Sequence, residues 1–268
     1  MYLEYWGLKE KPFENTPDPR FLYKSLHHEE AFARMLYCIR EKKGAAMITG
    51  EYGCGKTVLT RALLRELLKD GSRYKAALIV NPALSALGFL REVLFQLENK
   101  IFKGNKFDLI HKLDDILYDS DRQKKSVVII VDEAQIIKKE EIFEELRLLL
   151  NFQMNDRFLL SLILVGQPEL RPKIDMIPQL KQRLAIMFHL SGLDKEDVTR
   201  YIAYRCAVAG RDKNIFDDPA CGLITSRCGG IPRKINSACE LSLLQGMFEG
   251  KDKVGTDIVG NVLEDLGL

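Results

Sequence analysis

The chain has 268 residues, 46% hydrophobic and 29% charged, with 40 Lys and Arg against 38 Asp and Glu for a net charge of +2. That length spans one to two domains and buries a core without staples, and the charge balance gives no reason for a global polybasic surface, leaving only local basic patches open. The six cysteines (Cys38, Cys54, Cys206, Cys221, Cys228, Cys239) form no C-x-x-C pair, which argues for reduced thiols over a zinc cluster or a disulfide framework. The longest apolar runs, Val127 to Val131 and Phe158 to Val165, fall well short of the ~20 residues a bilayer crossing needs. The opening Met1-Tyr-Leu-Glu-Tyr-Trp shows no signal-peptide pattern, so a cytoplasmic location is expected.

Residues 1–25 are dense in Pro and aromatics (Pro12, Phe13, Pro17, Pro19, Phe21, Tyr23), which predicts an extended arm with turns. A helix follows over His28 to Glu41, its two leading histidines, His27 and His28, expected at the surface. Strands and helices then alternate. Strands are predicted at Ala45–Thr49, Ala76–Val80, Val127–Val131, Leu159–Val165 and Leu184–Leu190, and helices at Thr57–Leu68, Leu87–Gln96, Leu109–Tyr118 and Glu140–Asn151. The β-branched run Val127–Val131 has the composition of a strand covered on both faces. The alternation predicts an α/β fold, a parallel five-stranded sheet sandwiched by helices. After Ser191-Gly192 only helices are predicted: Lys195–Ala209, Pro219–Cys228, Pro232–Phe248 and Thr256–Leu266. The expected domains are therefore 1–190, including the arm 1–25, and a small helical domain 191–268.

Gly50-Glu51-Tyr52-Gly53-Cys54-Gly55-Lys56-Thr57 fits G-x-x-x-x-G-K-[ST], between a predicted strand and a predicted helix. Glycines let the backbone curl so that several N–H groups face one phosphate, and the helix adds its positive N-terminal end. Lys56 is placed to reach the β- and γ-phosphates and Thr57 to ligate Mg²⁺, with Val58 following on the helix. Within this loop the Cys54 side chain is expected to point outward. The run Ser126 to Val131 ends in Asp132 and Glu133; a strand delivers such acids to the sheet edge where the loop lies. Asp132 is the candidate Mg²⁺ ligand and Glu133 the candidate that polarises attacking water. The next predicted strand is expected to end between the strands of the loop and of the acids, where Gly166-Gln167-Pro168 offers Gln167 to orient water and to sense the γ-phosphate.

These features and the helical carboxy-terminal segment together resemble the AAA+ ATPase superfamily. More narrowly, Tyr5-Trp6-Gly7-Leu8, Pro12-Phe13, Thr16-Pro17-Asp18-Pro19-Arg20-Phe21-Leu22-Tyr23 and His28-Glu29-Glu30-Ala31 resemble the opening of the ExeA-type (general secretion pathway protein A) ATPases. So do Val131-Asp132-Glu133-Ala134-Gln135, Val165-Gly166-Gln167-Pro168-Glu169-Leu170 and Gly229-Gly230-Ile231-Pro232-Arg233-Lys234-Ile235-Asn236. The resemblance covers nearly the whole chain. It implies an α/β P-loop core with a helical lid, ATP and Mg²⁺ as cofactors, and hydrolysis of ATP. It also implies a sensor-2 arginine at Arg233, a homo-oligomer in ring or filament form, and an arginine supplied to a neighbouring subunit. Arg183, just before the last predicted strand, is the first choice for that role and Arg171 the second. The arm would close over the base with Phe13 and Tyr23 as wall residues; both are equally open to a role as core anchors.

Larger members of this type carry a transmembrane helix and a peptidoglycan-binding domain that the sequence to Leu268 does not, so a short cytosolic homologue and an ATPase fragment are both open. Two functions compete. One is an oligomeric ATPase that assembles or remodels a cell-envelope secretion or export system through an unidentified protein partner, peripheral to the inner membrane if at all. The other is an ATP-dependent DNA-binding regulator of the transposition type, for which Lys42, Lys43, Lys103, Lys106, Lys112, Lys124, Lys125, Lys138 and Lys139 are available. A nucleotide-gated scaffold with negligible turnover is a third possibility, opposed by the intact Lys56, Asp132 and Glu133.

Overall fold

The computed structural model describes all 268 residues. In chain order the elements are α1 (Tyr2–Trp6), α2 (Leu26–Arg40), β1 (Ala45–Gly50), α3 (Lys56–Lys69), β2 (Tyr74–Ile79), α4 (Ala86–Glu98), α5 (Lys106–Arg122) and β3 (Ser126–Val131). They continue with α6 (Glu140–Leu149), β4 (Leu160–Gly166), α7 (Leu170–Asp175), α8 (Pro178–Lys181), β5 (Leu184–Leu190), α9 (Lys195–Val208), α10 (Asp218–Cys228), α11 (Pro232–Phe248) and α12 (Thr256–Asp265). Short 3₁₀ turns lie at Pro19–Phe21 and Ala134–Ile136. Every predicted strand and helix is present. The short α1, α7 and α8 are additions, because pieces this brief carry no readable period.

The chain divides into two compact units, one of residues 28–50 and 59–190 and the other of residues 1–27, 51–58 and 191–268.

The first unit is a five-stranded parallel sheet in the order β2-β3-β4-β1-β5. Parallel strands share one carboxyl edge, so Gly50, Val131 and Gly166 end on the same side of the sheet, and β4 lies between β3 and β1. The Val127–Val131 run is fully buried, as its composition predicts. Helix α5 is fixed at its start by a capping box, Asn105 with Asp108. At its other end Asp121 receives Arg157 Nη2 at 2.9 Å and Lys42 Nζ at 3.2 Å. The Arg157 bonds, followed by Lys42, hold the Asp121 carboxyl below its ordinary value. A carboxylate depressed in the folded state stabilises above its unfolded pKa, and that contribution is lost as pH falls through the folded one. Asp121→Asn should therefore cost about 1 kcal/mol at neutral pH and flatten the fall of the urea midpoint below about pH 4. Paired urea titrations at both pH values test this. His28, expected at the surface, is buried: α2 starts two residues earlier than predicted, and His28 lies on its inward face with Ala31 and Met35.

The second unit is helical, and it includes the amino-terminal arm, which the sequence places with the sheet. The arm is also not wholly extended. Tyr2 and Trp6, one turn apart and ahead of the first proline, are buried together on α1, and Trp6 Nε1 donates to the Leu243 carbonyl at 2.8 Å. The proline-rich stretch has no ladder to satisfy its carbonyls, and buried Arg205 of α9 supplies the donors. Its Nε binds the Pro12 carbonyl at 2.5 Å and its Nη2 the Glu14 carbonyl at 3.0 Å. The guanidinium also stacks over Phe21, 4.8 Å from the ring centre.

Candidate nucleotide site

Strand β1 runs directly into the loop Glu51–Gly55, and α3 leaves it at Lys56. Gly53 and Gly55 have φ of +84° and +98°, the left-handed values that glycine alone adopts without strain. At Gly53 space matters as well. A Cβ there would lie 2.7 Å from Cβ of Arg233, and the Arg233 amide donates to the Gly53 carbonyl at 3.3 Å. The Arg233 guanidinium lies 4.8 Å from the ring centre of Tyr52, an exposed residue of the same loop. Pro232 at the first position of α11 sets the backbone that delivers Arg233. The structure thus brings together two residues predicted for one site, Tyr52 and Arg233. Lys56 is almost wholly buried and its ammonium folds back on the Glu51 carbonyl at 2.9 Å.

Cys54 does not point outward. It is fully buried, and burial raises its thiol pKa above the ordinary value. The five other cysteines are buried too, so the native protein should resist iodoacetamide at pH 7.5 and all six thiols should react in urea. Mass spectrometry of the labelled protein tests this, and Cys54 labelling without denaturant would contradict it. Phe13, 1% exposed, packs edge-on against Phe216 in the helical core. It is a core anchor and offers no face to a base. Tyr23 is held by its hydroxyl on Asp197 at 2.9 Å and by ring contacts with Tyr201 and Tyr204.

At the carboxyl edge of the sheet, Asp132 is buried. Its Oδ1 accepts the Glu133 amide at 2.9 Å, and the Thr60 hydroxyl of α3 donates to its Oδ2 at 3.4 Å. Thr60, one turn after the loop, is a residue the motif does not name, yet it ties α3 to the acid. Glu133 takes the left-handed conformation (φ 51°, ψ 35°), rare for a residue with a side chain. Its Oε2 accepts from Gln135 Nε2 at 2.5 Å, and Gln167 Nε2 lies 3.5 Å away. Gln135 Oε1 in turn accepts the Gln167 amide at 3.0 Å. Glu133 and Gln167 are thus brought together as predicted, and Gln135 bridges them. Gln135 belongs to a segment that carries the family resemblance, but its bridging role is not read from sequence, because it depends on the pairing of β3 with β4.

The residues predicted to hold Mg²⁺ both carry oxygen donors, the Asp132 carboxylate at the end of β3 and the Thr57 hydroxyl on α3. That set suits Mg²⁺, and nowhere does the chain gather three His, Cys, Asp or Glu side chains as a transition metal would want.

Arg183 is held within its own chain. Its guanidinium donates to the Leu150 carbonyl at 2.6 Å and to Asn151 Oδ1 at 2.8 Å. Arg171 is exposed on α7 and makes no ion pair.

A parallel sheet whose inner strand feeds a glycine-rich loop, with two acids ending a nearby strand, defines the P-loop nucleotide-binding class. Comparison with known proteins narrows it. The AAA domain family matches residues 39–174, and the chain belongs to the AAA+ ATPase family. It is 37% identical over 260 residues to General secretion pathway protein A of Aeromonas hydrophila, covering 95% of this chain and 46% of that protein. The chain thus spans about half the length of that relative. Among solved structures, Drosophila ORC bound to DNA matches with a TM-score of 0.74 at 13% identity, over 100% of this chain and 66% of that one. Aeropyrum pernix ORC2 in its ADPNP–ADP complexes matches with a TM-score of 0.66 at 17% identity, over 92% and 70%. Identities this low speak for the fold alone. No helix is long and apolar enough to cross a membrane.

Proposed function

We propose that this chain is a Mg²⁺-dependent ATP hydrolase that works as a homo-oligomer and passes conformational change to a partner of the cell-envelope secretion machinery. The observation that carries the hydrolase reading is the cluster of Glu133, Gln135 and Gln167 beside buried Asp132, on the sheet edge that β1 shares as it enters the loop. In this reading the loop amides of residues 50–57 and the Lys56 ammonium hold the phosphates, and Lys56 leaves the Glu51 carbonyl to do so. Thr57 and Asp132 would hold Mg²⁺, which would supply neutralisation of the phosphate charge. Glu133 takes the proton of the attacking water, and Gln167 orients that water against the γ-phosphate. Arg233 moves from the Tyr52 ring to the phosphates as the helical segment closes. Arg183 serves a neighbouring subunit, which requires it to release Leu150 and Asn151; exposed Arg171 is the alternative.

The secretion role rests on the similarity to the Aeromonas protein, and a cytoplasmic chain, peripheral to the inner membrane through a partner, fits it. The DNA-regulator reading is favoured by the basic stretch Lys100–Phe107, in which exposed Lys100 and Lys103 lie beside exposed Ile101 and Phe107, while Lys106 is paired with Glu145. The test is ATPase rate against protein concentration, with and without duplex DNA, on wild type, Arg183→Ala and Arg171→Ala. A rate per subunit that rises with concentration and falls at least about tenfold in one variant supports the shared site. Stimulation by DNA moves the role to the second reading. A flat, slow rate unaffected by either variant overturns the oligomeric mechanism.

A further inference from the structure

We propose that Gln135 is a positioning residue that sets the orientation of the Glu133 carboxylate and couples it to the end of β4; its consequence for turnover rests on the ATP hydrolase reading. The orientation of the Gln135 amide is not a free choice. A backbone N–H can only donate, so the end that meets the Gln167 amide at 3.0 Å must be the oxygen. The other end, Nε2, then necessarily donates to Glu133 Oε2, at 2.5 Å. One side chain thus reads the position of the β4 terminus and fixes the carboxylate, leaving Oε1 of Glu133 to meet water.

Three further features hold this bridge in place. Glu133 has a left-handed backbone, φ 51°, that a residue with a side chain keeps only where its surroundings impose it. Gly166, the last residue of β4, leaves the room: a Cβ there would lie 2.8 Å from Gln135 Oε1. Lys173 of α7 donates to the backbone carbonyls of Gln135 and of Ile137, clamping the turn that carries Gln135. A shift of the β4 end on γ-phosphate recognition by Gln167 would therefore move Glu133 through Gln135. Gln135 acts through its contact with the Glu133 carboxylate.

The isosteric Q135E variant separates this role from packing. It keeps an acceptor for the Gln167 amide but loses the donor to Glu133. We expect kcat to fall about tenfold or more with binding of a fluorescent ATP analogue within about twofold of wild type. G166A, which crowds the same oxygen, should shift kcat in the same direction. A second readout is independent of turnover: urea midpoints of E133Q, Q135E and E133Q/Q135E form a double-mutant cycle. In the double variant an amide again faces a carboxylate, so it should regain most of the stability lost in Q135E. Additive midpoints, a Q135E kcat within about twofold of wild type, or a loss confined to nucleotide affinity would each overturn the proposal. A wild type that shows no turnover sinks the hydrolase reading alone, because the cycle still decides whether Gln135 and Glu133 are coupled.

Discussion

Replacing Glu133 by glutamine should lower ATP turnover by about 10²–10³-fold while leaving nucleotide affinity within about threefold. The substitution keeps the side chain's length and its acceptor for Gln135 Nε2, so the bridge to the end of β4 survives. What is lost is the carboxylate that, in the proposed mechanism, takes the proton of water. Such a loss corresponds to about 3–4 kcal/mol of transition-state stabilisation, within the range of one general base. Binding should persist, because the phosphate loop and Asp132, with its Thr60 and backbone partners, are untouched. Lys56→Ala is the contrast: it removes the buried ammonium from the loop and should abolish binding and turnover together. Stopped-flow binding and steady-state hydrolysis on the same preparations separate the two cases. Unchanged turnover in Glu133→Gln would place the base elsewhere, and an equal loss of affinity would make Glu133 a binding group.

Much of this site is legible in the sequence because its chemistry is local. The loop from Gly50 to Thr57 and the run ending at Asp132 and Glu133 each lie within ten residues, and periodicity places them at strand ends. The sequence reading also sets the strand end that carries Gln167 between the two strands of the site, and the pairing of β4 with β3 and β1 agrees. The role of Gln135 is a different matter, because its partner Gln167 is 32 residues away. Thr60 is invisible for the same reason. The arm misleads because its prolines predict extension correctly but not destination. The donor that anchors it, Arg205, lies 193 residues beyond Pro12. Cys54 misleads in the opposite sense, since a small side chain in a surface motif suggests exposure, whereas the loop's tight curl turns it inward.

Gly230→Ala should destabilise the helical unit by about 3 kcal/mol or more, and Gly229→Ala, one residue earlier, by only about 1 kcal/mol. Both glycines are left-handed, with φ of +70° and +59°, so both substitutions carry the same backbone penalty. They differ in what surrounds them. A Cβ on Gly229 meets nothing within 4 Å, whereas one on Gly230 would lie 2.0 Å from the Leu193 carbonyl oxygen. That is backbone, not a flexible side chain, so it cannot be pushed aside cheaply. The two segments would have to separate, and the bond from the Leu193 amide to the Gly230 carbonyl, 2.8 Å long, would be lost. The protein carries a single tryptophan, Trp6, buried in this unit, so its fluorescence in a urea titration reports the helical transition specifically. Far-UV circular dichroism follows the whole chain alongside. The consequence reaches the site, because Gly230 sits three residues before Arg233, whose amide meets the loop at Gly53 and whose guanidinium rests on Tyr52. Gly230→Ala should therefore also weaken ATP binding under conditions where it remains folded, while Gly229→Ala leaves it near wild type. Equal effects of the two variants on both stability and binding would show that the close crossing with Leu193 does not hold Arg233 in place.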